Sequence, residues 1–532
     1  MDQLALVSSV LSISLATLIA PASATVTVSN QVNQNIRCSG NVCVPTAKDA
    51  NLNVKKLEKM LATSDVKIST GSGKVASKTR DIVIDAPLRW SSPTLLVLDC
   101  YRSTVVDQII SVSGTGALTV IDNDGGIDGG LSFGSGGAAQ FSNLSSALTI
   151  NGVAYALVSN IGSLASAVAA NPDGSYALAN NYDASGDGAY VVAAVPTTLA
   201  GNFEGLGNRI FNLSITDSDS AVDYVGMFSQ ISSRAVVENI NLVGMNVNWL
   251  TAYAGGLAGY NAGHLSGVSV SGSISGNANG PEGGLVGENA GRIEQTYSAM
   301  QVTDGTIAGG LVGINDQNAL VLSSAATGQV SNAYETGGLA GSNAGTVQYS
   351  YSTGNVSAAD NSDVGGLIGV NSGMVEQSFA SGTISGGDAP IGGFAGVNYG
   401  GTLLGCYALG SVNGQDGASA GGFLGSNSNN GKISEAYSIG NVSNAGGGYT
   451  GGFLGFDDTS AGNIHSAYWD TDTSGINNQD QGAGNIPNDP GITGLTSAQL
   501  QTGLPRGFKK KVWSEDVNIN DGFPYLLALP PN

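Results

Sequence analysis

The heptapeptide GGLAGYN at residues 255–261 returns as GGLVGEN (283–289), GGLVGIN (309–315), GGLAGSN (337–343), GGLIGVN (365–371), GGFAGVN (392–398), GGFLGSN (421–427) and GGFLGFD (451–457). The first glycines stand 28, 26, 28, 28, 27, 29 and 30 residues apart, and a degenerate copy, VGMF at 225–228, precedes them. Each copy supplies a Gly pair, one residue of the series Leu257, Leu285, Leu311, Leu339, Leu367, Phe394, Phe423 and Phe453, and a further Gly two positions on. Then comes Asn261, Asn289, Asn315, Asn343, Asn371, Asn398 or Asn427, replaced by Asp457 in the last copy. A fixed period of this length marks an array of stacked supersecondary units.

A second run follows in most copies: an apolar residue, two spacers, a small residue and an aromatic. Examples are Ile293 to Tyr297, Val347 to Tyr351, Val375 to Phe379, Ile433 to Tyr437 and Ile464 to Tyr468, with Tyr407 in the same column. Three residues beyond the aromatic stands Gly354, Gly382, Gly410 or Gly440, and two further Val356, Ile384, Val412 or Val442. Such segments are too short, too Gly-rich and too β-branched for helices.

The physical reading is all-β: a parallel β-helix, or β-solenoid, with short helical caps or insertions. One coil of about 28 residues buries too little apolar surface alone, so coils stack roughly 4.8 Å apart and pair backbones. Repetition then makes the Leu/Phe series one internal ladder and the Tyr/Phe column a second. The Gly pairs suit positive φ or close backbone approach at a coil corner. The Asn series suits a turn with left-handed backbone, its amides bonding coil to coil.

At this level the units GGLAGYNAGHLSGVSVSG and GGLIGVNSGMVEQSFASGTISG resemble the GLUG motif of exported bacterial proteins related to filamentous haemagglutinin-type adhesins. The likeness is specific from about Asp223 to Tyr468, and flanking pieces such as YALANNYDASGDG (176–188) and YWDTDTSG (468–475) resemble those that bracket GLUG arrays. Upstream, DIVIDAPLRWSS and LLVLDCYRS (81–102) are similar to the adhesins' β-helical shaft. The resemblance implies a right-handed parallel β-helix displayed at a bacterial surface for adhesion. It further implies a host or bacterial cell-surface glycan or protein as partner, and an outer-membrane transporter for secretion.

Working outward from the array, residues 1–24 read as a signal peptide: Leu4 to Ala20 is apolar, and Ala22 and Ala24 fit a signal-peptidase site, although Met1-Asp2-Gln3 carries no basic residue. Residues 25–80 read as an N-terminal cap, with a short helix over Val54 to Ala62 whose Leu57, Met60 and Leu61 share a face. Residues 81–222 read as irregular coils with a helical insertion at Ile161 to Ala170, residues 223–470 as the solenoid, and residues 471–532 as a C-terminal cap or tail. Cys38 and Cys43, close together in RCSGNVC, are expected to close a small disulfide loop, and Cys100 and Cys406 to be buried as small hydrophobes.

Composition narrows the function. With 19 Lys and Arg against 40 Asp and Glu, a net charge of -21 argues against a nucleic-acid partner, which requires clustered cations. The chain has two histidines, His264 and His465, neither in HExxH and both read as solvent-facing strand positions, so a zinc hydrolase or a Ser/His/Asp triad is poorly served. A β-helical polysaccharide lyase or hydrolase is the enzymatic alternative, drawing on Glu282, Glu294, Glu376, Glu435, Asp457 and Asp458, but the array between Asn261 and Asp457 holds only Arg292 and Lys432 as cations. Asp122, Asp124 and Asp128, or Asp470 and Asp472, are the candidates for Ca²⁺; otherwise no cofactor is expected. The reading is therefore a non-enzymatic adhesin-like solenoid, with a surface-layer or biofilm scaffold as a further alternative.

Overall fold

The computed structural model describes residues 25–71, 80–126, 129–217, 224–250, 253–276, 280–358, 360–415, 417–460 and 462–531. The signal segment read at 1–24 and the candidate ligand Asp128 lie outside the described residues. The chain is a parallel β-solenoid, 48% strand and 6% helix, in two units that meet in sequence at Ala154 and Tyr155.

In the first unit, Thr25–Ser29, Asp81–Ile84, Thr104–Val106 and Leu131–Phe133 pair rung on rung, with Ala50–Asn53 on the far side of Thr25–Ser29. A second face stacks Leu88–Trp90, Ile110–Val112 and Ala139–Phe141, and a third Val66–Ser69, Leu95–Asp99, Ala117–Ile121 and Leu148–Ile150. Side chains alternate across each strand, so Val26, Val28, Ile82 and Ile84 turn inward and are fully buried. Helix α1 (Val54–Leu61) starts where the Asn53 side chain accepts the Lys56 N–H, and it buries Val54, Leu57 and Leu61. The antiparallel hairpin Ile36–Ser39/Val42–Pro45 carries the Cys38–Cys43 disulfide, while Cys100 and Cys406 are free and buried.

The second unit opens with helix α2 (Ile161–Ala170), closed by a capping box between Asn160 and Ser163 and held by buried Ile161, Leu164 and Val168. Beyond it the coils become regular. One coil comprises Pro281–Gly283, Val286–Asn289, Arg292–Glu294 and Tyr297–Thr303, and every strand pairs in parallel with its counterpart in the next coil. The column Leu265, Ile293, Val321, Val347, Val375, Leu403, Ile433 and Ile464 runs through the interior in Cα register. So does the Leu/Phe series, every member of which is fully buried, with Phe394, Phe423 and Phe453 stacked at 4.8 Å. The stack continues past Asp470, because Ile492–Leu495 pairs with Ala467–Asp470 as a further rung.

Of the two alternatives for the doublet glycines the structure selects close approach, and the expectation for the Asn series is corrected. None of the doublet glycines has positive φ; they are demanded by close approach alone. A Cβ on Gly309 would lie 1.9 Å from the Val312 carbonyl oxygen, and one on Gly310 2.2 Å from that of Gly338. Nor does the Asn series occupy left-handed backbone: Asn261, Asn289, Asn315, Asn343 and Asn371 each end a strand, and Asn398 and Asn427 stand one residue before a strand's end. The left-handed column stands two residues before the aromatic, at Asn239, Gly267, Gln295, Ser323, Tyr349, Gln377, Gly405, Glu435 and Ser466. There the coil bends between two strands that share one sheet or, at Gly405, Glu435 and Ser466, within one continuous strand.

Candidate interaction surface

Asn261, Asn289, Asn315, Asn343, Asn371, Asn398 and Asn427 are fully buried, and each donates Nδ2–H to the Oδ1 of the next at 2.7 to 2.9 Å. Asn427 donates to Asp457 at 3.4 Å, where the ladder ends. The remaining amide hydrogens go to backbone carbonyls of the following turn, such as Asn261 to Gly263, and the Gly263 and Gly291 N–H groups return bonds to Asn261 and Asn289. A buried amide without partners costs about 1–3 kcal/mol, and here the stack supplies them. These residues belong to the frame, their side chains buried and bonded within it.

The aromatic column runs outside the coil, where a second internal ladder was expected. Strands alternate, and the neighbours of the aromatics are the inward ones: Ser350 and Ser352 around Tyr351, Ser378 and Ala380 around Phe379, and Cys406 and Ala408 around Tyr407 are fully buried. The rings stack face to face from Tyr351 through Phe379 and Tyr407 to Tyr437, at 5.0, 4.9 and 5.2 Å. The C-terminal tail covers them. Trp513 lies 5.9 Å from both Tyr407 and Tyr437, Phe508 5.7 Å from Tyr468, the Tyr437 hydroxyl donates to the Pro524 carbonyl at 2.6 Å, and Lys509 pairs with Glu435.

Another face carries a pattern that the repeat alignment on Gly-Gly did not reveal. Thr216, Asn248, Ser275, Thr303, Ser331, Ser357, Ser385, Asn413 and Ser443 stand in one column, rung after rung. Two residues earlier on each rung are Ser214, Asn246, Ser273, Gln301, Gln329, Asn355, Thr383, Ser411 and Asn441. Between the two columns the inward Ile215, Val247, Ile274, Val302, Val330, Val356, Ile384, Val412 and Val442 are buried. The result is a grid of uncharged hydroxyls and amides, spaced about 4.8 Å along the stack and about 7 Å across it, at least partly exposed except at Ser331, which is buried. Neighbours bond along the column, as Ser275 Oγ does to Asn248 Oδ1 at 2.8 Å.

The acidic residues are dispersed. Glu282 is fully buried, accepts Trp249 Nε1 and the Gly305 N–H at 3.0 Å each, and burial pushes its carboxyl up to about 8. Burial, with a hydrogen bond shared with Asp316, raises Glu288 to about 7, and burial beside Glu335 raises Asp363 to about 6. Glu294 binds Arg292, Glu376 accepts from Gln348, Glu435 holds Lys509, Asp457 closes the Asn ladder, and Asp458 is exposed. Of the residues weighed for Ca²⁺, Asp470 is buried and accepts Ser497 Oγ at 2.5 Å, Asp472 accepts the Ser497 N–H at 3.1 Å, and Asp122 accepts Asn151 Nδ2 at 2.8 Å. Among the described residues no three His, Cys, Asp or Glu side chains are grouped to hold a metal ion. His465 is exposed, and His264 lies 3.5 Å from Glu294.

A scan against protein-family models finds no match, and a search of curated proteins finds no relative. The class established by fold is that of a parallel β-solenoid.

Proposed function

We propose that the protein is an exported, adhesin-like solenoid that attaches a bacterial surface to cells or matrix and performs no catalysis. The observation that carries this reading is the uncharged grid from Ser214 and Thr216 to Asn441 and Ser443. In a chain of net charge -21, such a face without like-charge repulsion offers donors and acceptors at regular spacing, the chemistry that meets hydroxyl-rich glycans or polar protein surfaces. The GLUG-like repeats and the signal-like segment 1–24 support display outside the cytoplasm. The carboxylates weighed for a lyase or hydrolase are largely committed to bonds within the frame, which favours attachment over that alternative.

The test is binding of the purified chain to arrays of glycans and matrix proteins, with polysaccharide depolymerisation measured in parallel. Saturable binding that Ser357→Lys and Ser385→Lys abolish together supports the proposal. Enzyme-like cleavage of any polysaccharide, or binding of neutral glycans and matrix proteins that is indifferent to charges placed on the grid, overturns it.

A further inference from the structure

Corners along the stack differ in length. From the Asn column to the next strand, the chain takes six residues at Ile231–Val236, four at Asn261–His264, four at Asn289–Arg292 and six again at Asn315–Leu320. Two short corners between two long ones leave a concavity of about 440 Å³, floored by Ala262 to His264 and Ala290 to Arg292, with Arg234 on one rim and Asn318 and Leu320 on the other. That volume lies within the range of small-ligand sites. Its floor cannot fill in, because a Cβ on Gly263 would lie 2.4 Å from the Ala235 carbonyl oxygen and one on Gly291 2.2 Å from that of Gly263.

The charge at this place is unlike the rest of the array. Between residues 223 and 470 the Lys and Arg residues are Arg234, Arg292 and Lys432, and two of these three line the concavity, together with one of the chain's two histidines. Glu294 braces the floor: it accepts Arg292 Nε at 2.8 Å and Nη2 at 2.7 Å and lies 3.5 Å from His264 Nε2. The guanidinium is thereby fixed by one edge, and its other amine stays available to a second oxyanion. Among the described residues Arg234 is held only by an exposed pair with Asp173 at 3.6 Å, a contact weak enough for a ligand to replace. Ala262, Ala290 and Leu320 add apolar surface beside the two cations.

We propose that this concavity binds the carboxylate-bearing unit of an acidic glycan, with Arg292 and Arg234 receiving the carboxylate and the Ala262–Ala290 floor receiving the sugar ring. The inference rests on the glycan-attachment reading above and names the chemical class that such attachment selects. The room beyond the two cations is what separates a sugar from a bare inorganic oxyanion.

Calorimetric titration of the full chain with a glucuronate-containing tetrasaccharide, its carboxyl-reduced analogue and inorganic phosphate tests it. The tetrasaccharide is expected to bind, with carboxyl reduction weakening it about tenfold or more, as loss of a charge-assisted contact implies. Arg292→Gln is expected to weaken binding by about tenfold, Arg292→Lys by less because charge without the fork remains, and Lys432→Gln not at all. Unchanged thermal midpoints show that the variants fold. Equal binding of the reduced analogue, phosphate matching the tetrasaccharide in affinity, or indifference to Arg292→Gln each overturns the site. If the tetrasaccharide fails while neutral glycans or matrix proteins still bind, the concavity proposal falls and attachment stands; if no array component binds, both fall.

Discussion

Replacing Asn289 by Ala in the middle of the amide ladder removes two acceptor contacts and two donor contacts at a fully buried position, the weaker donor contact being the 3.4 Å bond to the Gly291 carbonyl. Asn261 Nδ2, bonded at 2.8 Å, and the Gly291 N–H, bonded at 3.2 Å, lose their acceptor, and Asn315 Oδ1, bonded at 2.8 Å, loses its donor. Each orphaned buried group costs about 1–3 kcal/mol, so the variant should lose about 3–5 kcal/mol after partial relaxation. Ser357→Ala, on the outer grid, should change stability by no more than about 0.5 kcal/mol. Because stacked coils need not unfold in one step, urea unfolding should be joined by hydrogen exchange, with the Gly291 amide and the rungs of Asn261 and Asn315 exchanging faster. A loss below about 1 kcal/mol with Gly291 exchange unchanged would refute the view that the amides work as a bonded ladder.

Other expectations follow from the same geometry. Glu282, Glu288, Asp363 and Asp489, the last raised by burial and by the neighbouring Asp457, hold protons up to about 8, 7, 6 and 7 in the folded chain, against about 4 when unfolded. The folded state therefore binds more protons in that window, and stability, full below about pH 4, should fall as pH rises through 6 to 8; urea midpoints at pH 5 and pH 8 measure it, and Glu282→Gln should flatten the slope. Trp513→Ala should free the tail from Tyr407 and Tyr437, costing about 3–5 kcal/mol of tail docking, read as protease cleavage between residues 500 and 530 before the solenoid is cut. Gly309→Ala drives a Cβ into the Val312 carbonyl, and hydrogen exchange should show protection lost on that coil and its neighbours while distant coils keep theirs.

Much of the frame was legible in the sequence because a solenoid converts linear period into spatial register. The Gly-Gly-Leu/Phe spacing placed Leu257 through Phe453 in one buried column, and the burial of Cys406, helix α2 and the Cys38–Cys43 bridge were each readable locally. What was misplaced depended on neighbours. Asn signals a turn when read alone; its place at a buried strand end is stable only because the next coil offers an identical amide. The left-handed column is filled mostly by Gln295, Ser323, Tyr349, Gln377, Glu435 and Ser466, residue types that do not announce such backbone, with Asn239, Gly267 and Gly405 as hints. The aromatic column was assigned inward on hydrophobicity, yet alternation from Ser350 and Ser352 sends Tyr351 outward, and the cover for Tyr407 and Tyr437 comes from Trp513, more than seventy residues away. The uncharged grid escaped notice because its members vary among Ser, Thr, Asn and Gln; the inward Val/Ile between each pair, aligned coil by coil, is the signal that finds it.

The distance between labels on one outer column tests the stacked register most directly. From Ser275 the column passes through Thr303, Ser331, Ser357, Ser385 and Asn413 to Ser443. At about 4.8 Å per rung, spin labels on Ser275 and Ser385 should lie about 19 Å apart and those on Ser275 and Ser443 about 29 Å. Pulsed dipolar spectroscopy that returns this linear growth with rung number supports the stack; distances that fail to increase from Ser385 to Ser443 contradict it.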